Sequence, residues 1–213
     1  MTIGVTIDLR ERFGPPRNQG SRPTCLAFAL SDAHAAARAS TEPLSCEHLY
    51  FNAVQRMPAR DPAQGVALPV ALEALRDDGQ CAEPGWPYLS VLPSDLLTWS
   101  PPPTASPVFR HDSTVEPCQL DALIGNVQAG RPMLLTLLLG ERFYRPTNNI
   151  VDIGPEDRNT AHHALVAIGL GLTLTERAIL VRNSWGPAWG DDGHCWISES
   201  YLRPRLRQIA LLS

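Results

Sequence analysis

The chain has 213 residues, 44% of them hydrophobic and 19% charged, enough length and apolar content for one catalytic unit with a real core and too much for wholesale disorder. A net charge of −4 and a pI near 5.8 exclude a nucleic-acid footprint, which needs clustered cations. The first ten residues lack a basic start and long apolar run, and no later stretch reaches membrane-span length, so a cytoplasmic protein with no membrane partner is expected. Residues 1 to 24 read as extended loop, because Gly14, Pro15, Pro16, Gly20 and Pro23 interrupt any helical period. A first helix begins at Cys25 with Thr24 as its N-cap. A second runs from the Ser45 cap through Met57, and a third over 68–78 has Pro69 in its first turn and Gly79 at its end. The proline-rich stretch 84–107 reads as an irregular crossover, and a fourth helix follows over 117–128. Beyond it, segments 133–139, 163–169, 177–183, 194–198 and 207–212 read as strands. Helices first and strands later predict an α+β protein whose two halves pack side by side.

All 18 basic side chains are arginine, as a GC-rich genome would produce, and Arg203, Arg205 and Arg207 near the end read as a solvated face. Cysteines 25, 46, 81, 118 and 195 are odd in number and irregular in spacing, which fits free thiols in a reducing compartment.

Cys25 stands where chemistry is favoured. A thiol in the first turn of a helix feels the positive end of the dipole, which stabilises the attacking thiolate. It needs a base and an oxyanion donor. Gln19 lies six residues earlier across a turn-forming segment, so its amide can return beside the Cys25 N–H. Downstream, His162 and His163 head an apolar strand, where neighbours face opposite ways and only one can meet Cys25. Asn183 closes a later strand, where it can accept an imidazole N–H and fix the tautomer, with Trp185 as a lid over that bond. A metal site from His162, His163, His194 and Cys195 is disfavoured because adjacent strand residues diverge, and no cofactor is implied.

The blocks at 18–29 (NQGSRPTCLAFA), 163–171 (HALVAIGLG) and 179–197 (ILVRNSWGPAWGDDGHCWI) occur in an order that resembles the papain family of cysteine peptidases nearly end to end. The family register, a small residue after the histidine and a glycine six positions on, selects His163 (Ala164, Gly169) over His162. The resemblance implies a papain-like α+β fold over 1–213, with a helical lobe over about 20–110, a β-barrel-like lobe over 111–213 and the active-site cleft between. It implies peptide-bond hydrolysis by Cys25, His163 and Asn183 with Gln19 at the oxyanion. His162 then occupies a cleft-facing position. Gly65, Val66 and Ala67, with Pro132 and Met133, are expected to line an apolar pocket for the substrate residue two before the scissile bond.

Two departures stand out. The family's disulfide cysteine three positions before the nucleophile is Arg22 here, and the aromatic residue after the nucleophile is Leu26. Only 24 residues precede Cys25, so either the sequence is a trimmed one or activity is expected to be restrained by something other than a pro-segment, such as a regulatory partner. A bacterial enzyme is expected, acting in the cytoplasm on a polypeptide substrate or exported as an effector without a signal peptide. The competing readings are a thiol acyl-transferase or isopeptidase on the same fold, and a catalytically silent peptide-binding module.

Overall fold

The computed structural model describes residues 3–154 and 157–212; Met1, Thr2, Pro155, Glu156 and Ser213, which fall within the expected 1–213 domain, lie outside them. The first half supplies three helices, α1 (Cys25–Ala37), α2 (Cys46–Arg56) and α3 (Leu68–Asp77). Ser45 caps α2 as its sequence predicts: its Oγ accepts the His48 N–H at 3.0 Å and donates to the Trp86 carbonyl at 2.6 Å. Thr24 caps nothing. Tyr88 donates its hydroxyl hydrogen to the Gln19 carbonyl at 2.7 Å, so Thr24 Oγ1, 2.9 Å away, must donate to Tyr88, and a tertiary bond takes the hydroxyl away from the helix end.

The second half carries β2 (Ser113–Glu116), α4 (Leu120–Gln128), β3 (Met133–Gly140), β4 (Ile150–Val151), β5 (Asn159–Leu172), β6 (Arg177–Arg182), β7 (His194–Ser198), the short α5 (Glu199–Leu202) and β8 (Leu206–Leu212). The extended N-terminal segment supplies β1 (Gly4–Asp8), paired antiparallel to the far end of β5. Strand order is β2-β8-β3-β5-β6-β7-β4, an eight-stranded sheet. The expected barrel-like form is therefore corrected to an open sheet: its path ends in the short strands β2 and β4, which do not pair with each other.

Both faces of the central strands are buried, which explains their nearly continuous apolar runs. Along β5, Ala164, Val166 and Ile168 join the core built on α1, α2 and α3, while Leu165 and Ala167 join the core under α4 and α5. Leu134 of β3 faces the first core, and Met133, Leu135 and Leu137 face the second. The sheet thus walls both cores, and α1 lies against β5. That packing brings the first residue of α1 to the strand that carries the two histidines.

Candidate active site

Cys25 opens α1 and is half-buried. The N–H groups of a helix's first turn lack intrahelical partners. Here those of Cys25 and Leu26 face the thiol, together with the N–H of Ala164 from β5. Burial pushes the Cys25 thiol up, and these three N–H groups pull it back toward ionisation. The Ala164 N–H places the Cys25 thiol beside the peptide that joins His163 to Ala164.

The register of β5 separates the two histidines. His163 pairs with Leu137 and is buried, whereas His162 pairs with Leu138 and is exposed on the opposite face. His163 Nε2 lies 2.7 Å from Asn183 Oδ1. The same oxygen accepts the backbone N–H of Ser184 at 2.8 Å. A backbone N–H can only donate, so this atom is the amide oxygen and the imidazole must donate to it. Nε2 therefore carries the proton, leaving Nδ1 as the open, basic nitrogen. Burial draws the imidazole pKa down to about 4, with the Asn183 bond acting in the opposite sense.

An aromatic roof keeps this bond dry. Trp185 lies 4.9 Å from the His163 ring, Phe143 meets that ring edge-on at 6.0 Å, and Tyr144 stacks on Trp185 at 5.3 Å. Trp189 completes the stack, donating its indole N–H to the Phe143 carbonyl at 3.0 Å. The sequence pointed to Trp185 alone. Phe143 and Tyr144 sit in a single 3-10 turn, Glu141–Tyr144, just after β3, and no periodicity marks their role.

Gln19 is buried and held at both ends of its amide. Ser184 Oγ donates to its Oε1 at 2.6 Å, and its Nε2 donates to the Arg22 carbonyl at 2.8 Å. Its backbone N–H bonds the Ser184 carbonyl at 2.8 Å, so the glutamine loop is stitched to the residue after Asn183. An amide nitrogen has two hydrogens, and one remains to be offered.

Gly65 has φ +76, and a Cβ there would meet the Pro23 carbonyl at 3.4 Å, which puts the 65–67 stretch beside the turn before Cys25. Val66 is half-buried against the helical core, and Ala67 is exposed. Pro132 and Met133 do not join this group. Met133 is fully buried opposite Ala167, four pairs along the strand from His163, and Pro132 borders a separate hollow with Arg12, His111 and Leu211. Among the described residues, no three histidine, cysteine or acidic side chains gather as metal ligands. No helix among them is long and apolar enough to cross a membrane.

The model of the papain family cysteine proteases matches residues 4–203. Among curated proteins, a probable cysteine protease of Arabidopsis thaliana (RDL6) is 42% identical over 52 residues, 24% of this chain and 15% of that protein. Silicatein of Petrosia ficiformis is 33% identical over 57 residues, 27% of this chain and 16% of its own. These matches therefore span only a small part of either relative. Among solved structures, xylellain, a cysteine protease from Xylella fastidiosa, superposes with a TM-score of 0.79 at 20% identity, covering 100% of this chain and 87% of that one. Digestive procathepsin L 3 of Tenebrio molitor larval midgut gives 0.79 at 15%, covering 100% and 71%. At such identities these structures speak for the fold.

Proposed function

Because the chain belongs to the papain family of cysteine proteases, we propose that it hydrolyses peptide bonds, with Cys25 as nucleophile, His163 as base and acid, Asn183 as orienter and Gln19 at the oxyanion. The observation that carries this reading is the fixed tautomer of His163. With Nε2–H committed to Asn183, Nδ1 is the nitrogen free to take the thiol proton. Burial opposes a lone thiolate and a lone imidazolium alike, whereas moving one proton from sulfur to nitrogen creates both charges together, each stabilising the other.

The reaction follows from these groups. The Cys25 sulfur adds to the substrate carbonyl carbon. The resulting oxyanion accepts the Cys25 N–H and the second hydrogen of Gln19 Nε2. As the tetrahedral intermediate collapses, the C–N bond breaks, the amine leaves with the proton carried by His163, and a thioester remains. Water then adds, giving a proton to His163. Collapse of the second intermediate breaks the C–S bond, releases the acid and returns that proton to sulfur. The non-prime side of the substrate runs over Gly65, Val66 and Ala67, and the leaving side passes Trp185.

Limiting iodoacetamide at mildly acidic pH tests the pair, because ordinary thiols are protonated there and react slowly. Cys25 is expected to be modified selectively, and His163→Ala to abolish that selectivity. Equal, slow labelling of the accessible cysteines would favour a silent peptide-binding module. Products formed with an added amine acceptor separate hydrolysis from acyl transfer.

A further inference from the structure

Arg22 stands where the family resemblance leads one to expect a disulfide cysteine, and its surroundings give it a different task. Its guanidinium is buried and meets the fully buried carboxylate of Glu47 through both terminal nitrogens, Nη1 to Oε2 at 2.6 Å and Nη2 to Oε1 at 3.1 Å. Nη1 also donates to the Leu89 carbonyl. The cation lies over the rings of Tyr50 and Tyr88, at 5.4 and 5.0 Å from their centroids. Glu47 in turn accepts the Trp99 indole N–H at 2.7 Å and the Leu89 N–H at 3.0 Å. Every member of this cluster is thereby fixed by α2 and the crossover.

The backbone of Arg22 faces the chemistry. Its carbonyl is the acceptor that holds Gln19 Nε2, and it also accepts the Thr24 N–H at 2.8 Å, one residue before Cys25. Tyr88, which stacks on the guanidinium, donates to the Gln19 carbonyl. A buried ion pair adds little net stability over an apolar replacement of similar shape, but its forked geometry fixes position.

We infer that Arg22 is a positioning residue: clamped by Glu47, it sets the 19–25 turn so that the free hydrogen of Gln19 Nε2 and the N–H of Cys25 converge on one point, a restraint made by a buried ion pair with no covalent cross-link. The inference rests on the proposed role of Gln19.

Two reactions of the same sulfur separate this from a general structural role. Alkylation by iodoacetamide passes through no oxyanion, whereas peptide hydrolysis does. The double variant Arg22→Met/Glu47→Gln leaves no unpaired charge, so it is the informative protein, with Arg22→Lys as the conservative control. The double variant is expected to keep the wild-type alkylation rate of Cys25 within about threefold and the wild-type KM, while kcat falls roughly 10- to 100-fold, part of the loss seen on removing an oxyanion donor. Gln19→Ala added to it should cost little more, because the donor is already misplaced. Arg22→Lys, which keeps the charge, should recover part of kcat. An unchanged kcat, a fully additive Gln19→Ala effect, or a parallel fall in alkylation and kcat would each overturn the inference.

If the wild-type protein is alkylated but hydrolyses nothing, the functional reading fails while the restraint is still measurable from the exchange rate of the Gln19 side-chain amide hydrogens. Slow exchange that quickens in the double variant supports the restraint. Equal exchange in both proteins rejects it.

Discussion

His163 is the residue on which the site turns, and its behaviour depends on one amide. Asn183 Oδ1 also accepts the Ser184 N–H, which identifies it as the amide oxygen and so selects the imidazole tautomer that donates from Nε2. Asn183→Ala is expected to free the ring and lower kcat by roughly 10²-fold with little change in KM, as steady-state kinetics would register. Arg22 offers a stability test at the same scale. Arg22→Met alone leaves the Glu47 carboxylate buried with its countercharge gone, so a loss of about 3–5 kcal/mol is expected by urea unfolding. The double variant with Glu47→Gln should recover most of it. Burial and the ion pair were both illegible in the sequence, because Arg22 sits in a loop and Glu47 in the first turn of a helix, where each reads as solvated.

At the scale of elements, turns and strand register carry the site. Strand β5 puts His163 inside and His162 outside, an outcome of its period of two together with its antiparallel pairing to β3. The same register shows why Met133 lies apart from His163: it starts β3, with Pro132 just before it, while the residue opposite His163 is Leu137. The turn after Trp189 is equally constrained. Gly190 has φ +62, and a Cβ there would lie 2.1 Å from the His194 carbonyl oxygen, so only glycine lets the chain fold back into β7. Gly190→Ala is expected to lower the thermal midpoint and, by loosening Trp189 beneath Phe143, to reduce kcat as well. The Ser45 cap predicts a milder effect, a loss of about 1 kcal/mol on substitution by alanine from the capping bond, with more if the Trp86 carbonyl is left unpaired.

For the whole molecule, the sheet shared between two cores ties the halves together, and charge reinforces the seam. Asp32 of α1 bridges Arg17 of the N-terminal segment and Arg182 of β6, each at 2.7 Å. Burial also stores an acid sensitivity. His34 is held neutral with its pKa lowered to about 3, His163 to about 4, and His48 and His194 are lowered as well, in each case chiefly by desolvation. Unfolding returns these rings to ordinary values near 6.5, so the unfolded chain binds more protons as pH falls. Stability is therefore full above about pH 6.5 and declines toward pH 4, by on the order of 3 kcal/mol for His34, which takes no part in the Cys25–His163 proton transfer. Thermal midpoints measured across that range should fall steadily, and His34→Gln should flatten the slope.

The sequence alone determined the four principal helices, the main strands and the identity of Cys25, His163, Asn183 and Gln19 as candidates, because periodicity, caps and motif order are local and survive without a fold. It also chose His163 over His162, since register within one motif suffices. The tertiary structure decided what depends on residues distant in the chain. It fixed the tautomer through Ser184, built the roof from Phe143 and Tyr144, took Thr24 from its helix to serve Tyr88, and left the sheet open. It also gave Arg22, already legible as the absence of a disulfide cysteine, its buried partner Glu47. Each of these outcomes arises where a side chain's nearest partner comes from another part of the chain, and the energy of a buried contact is set by that partner rather than by sequence neighbours.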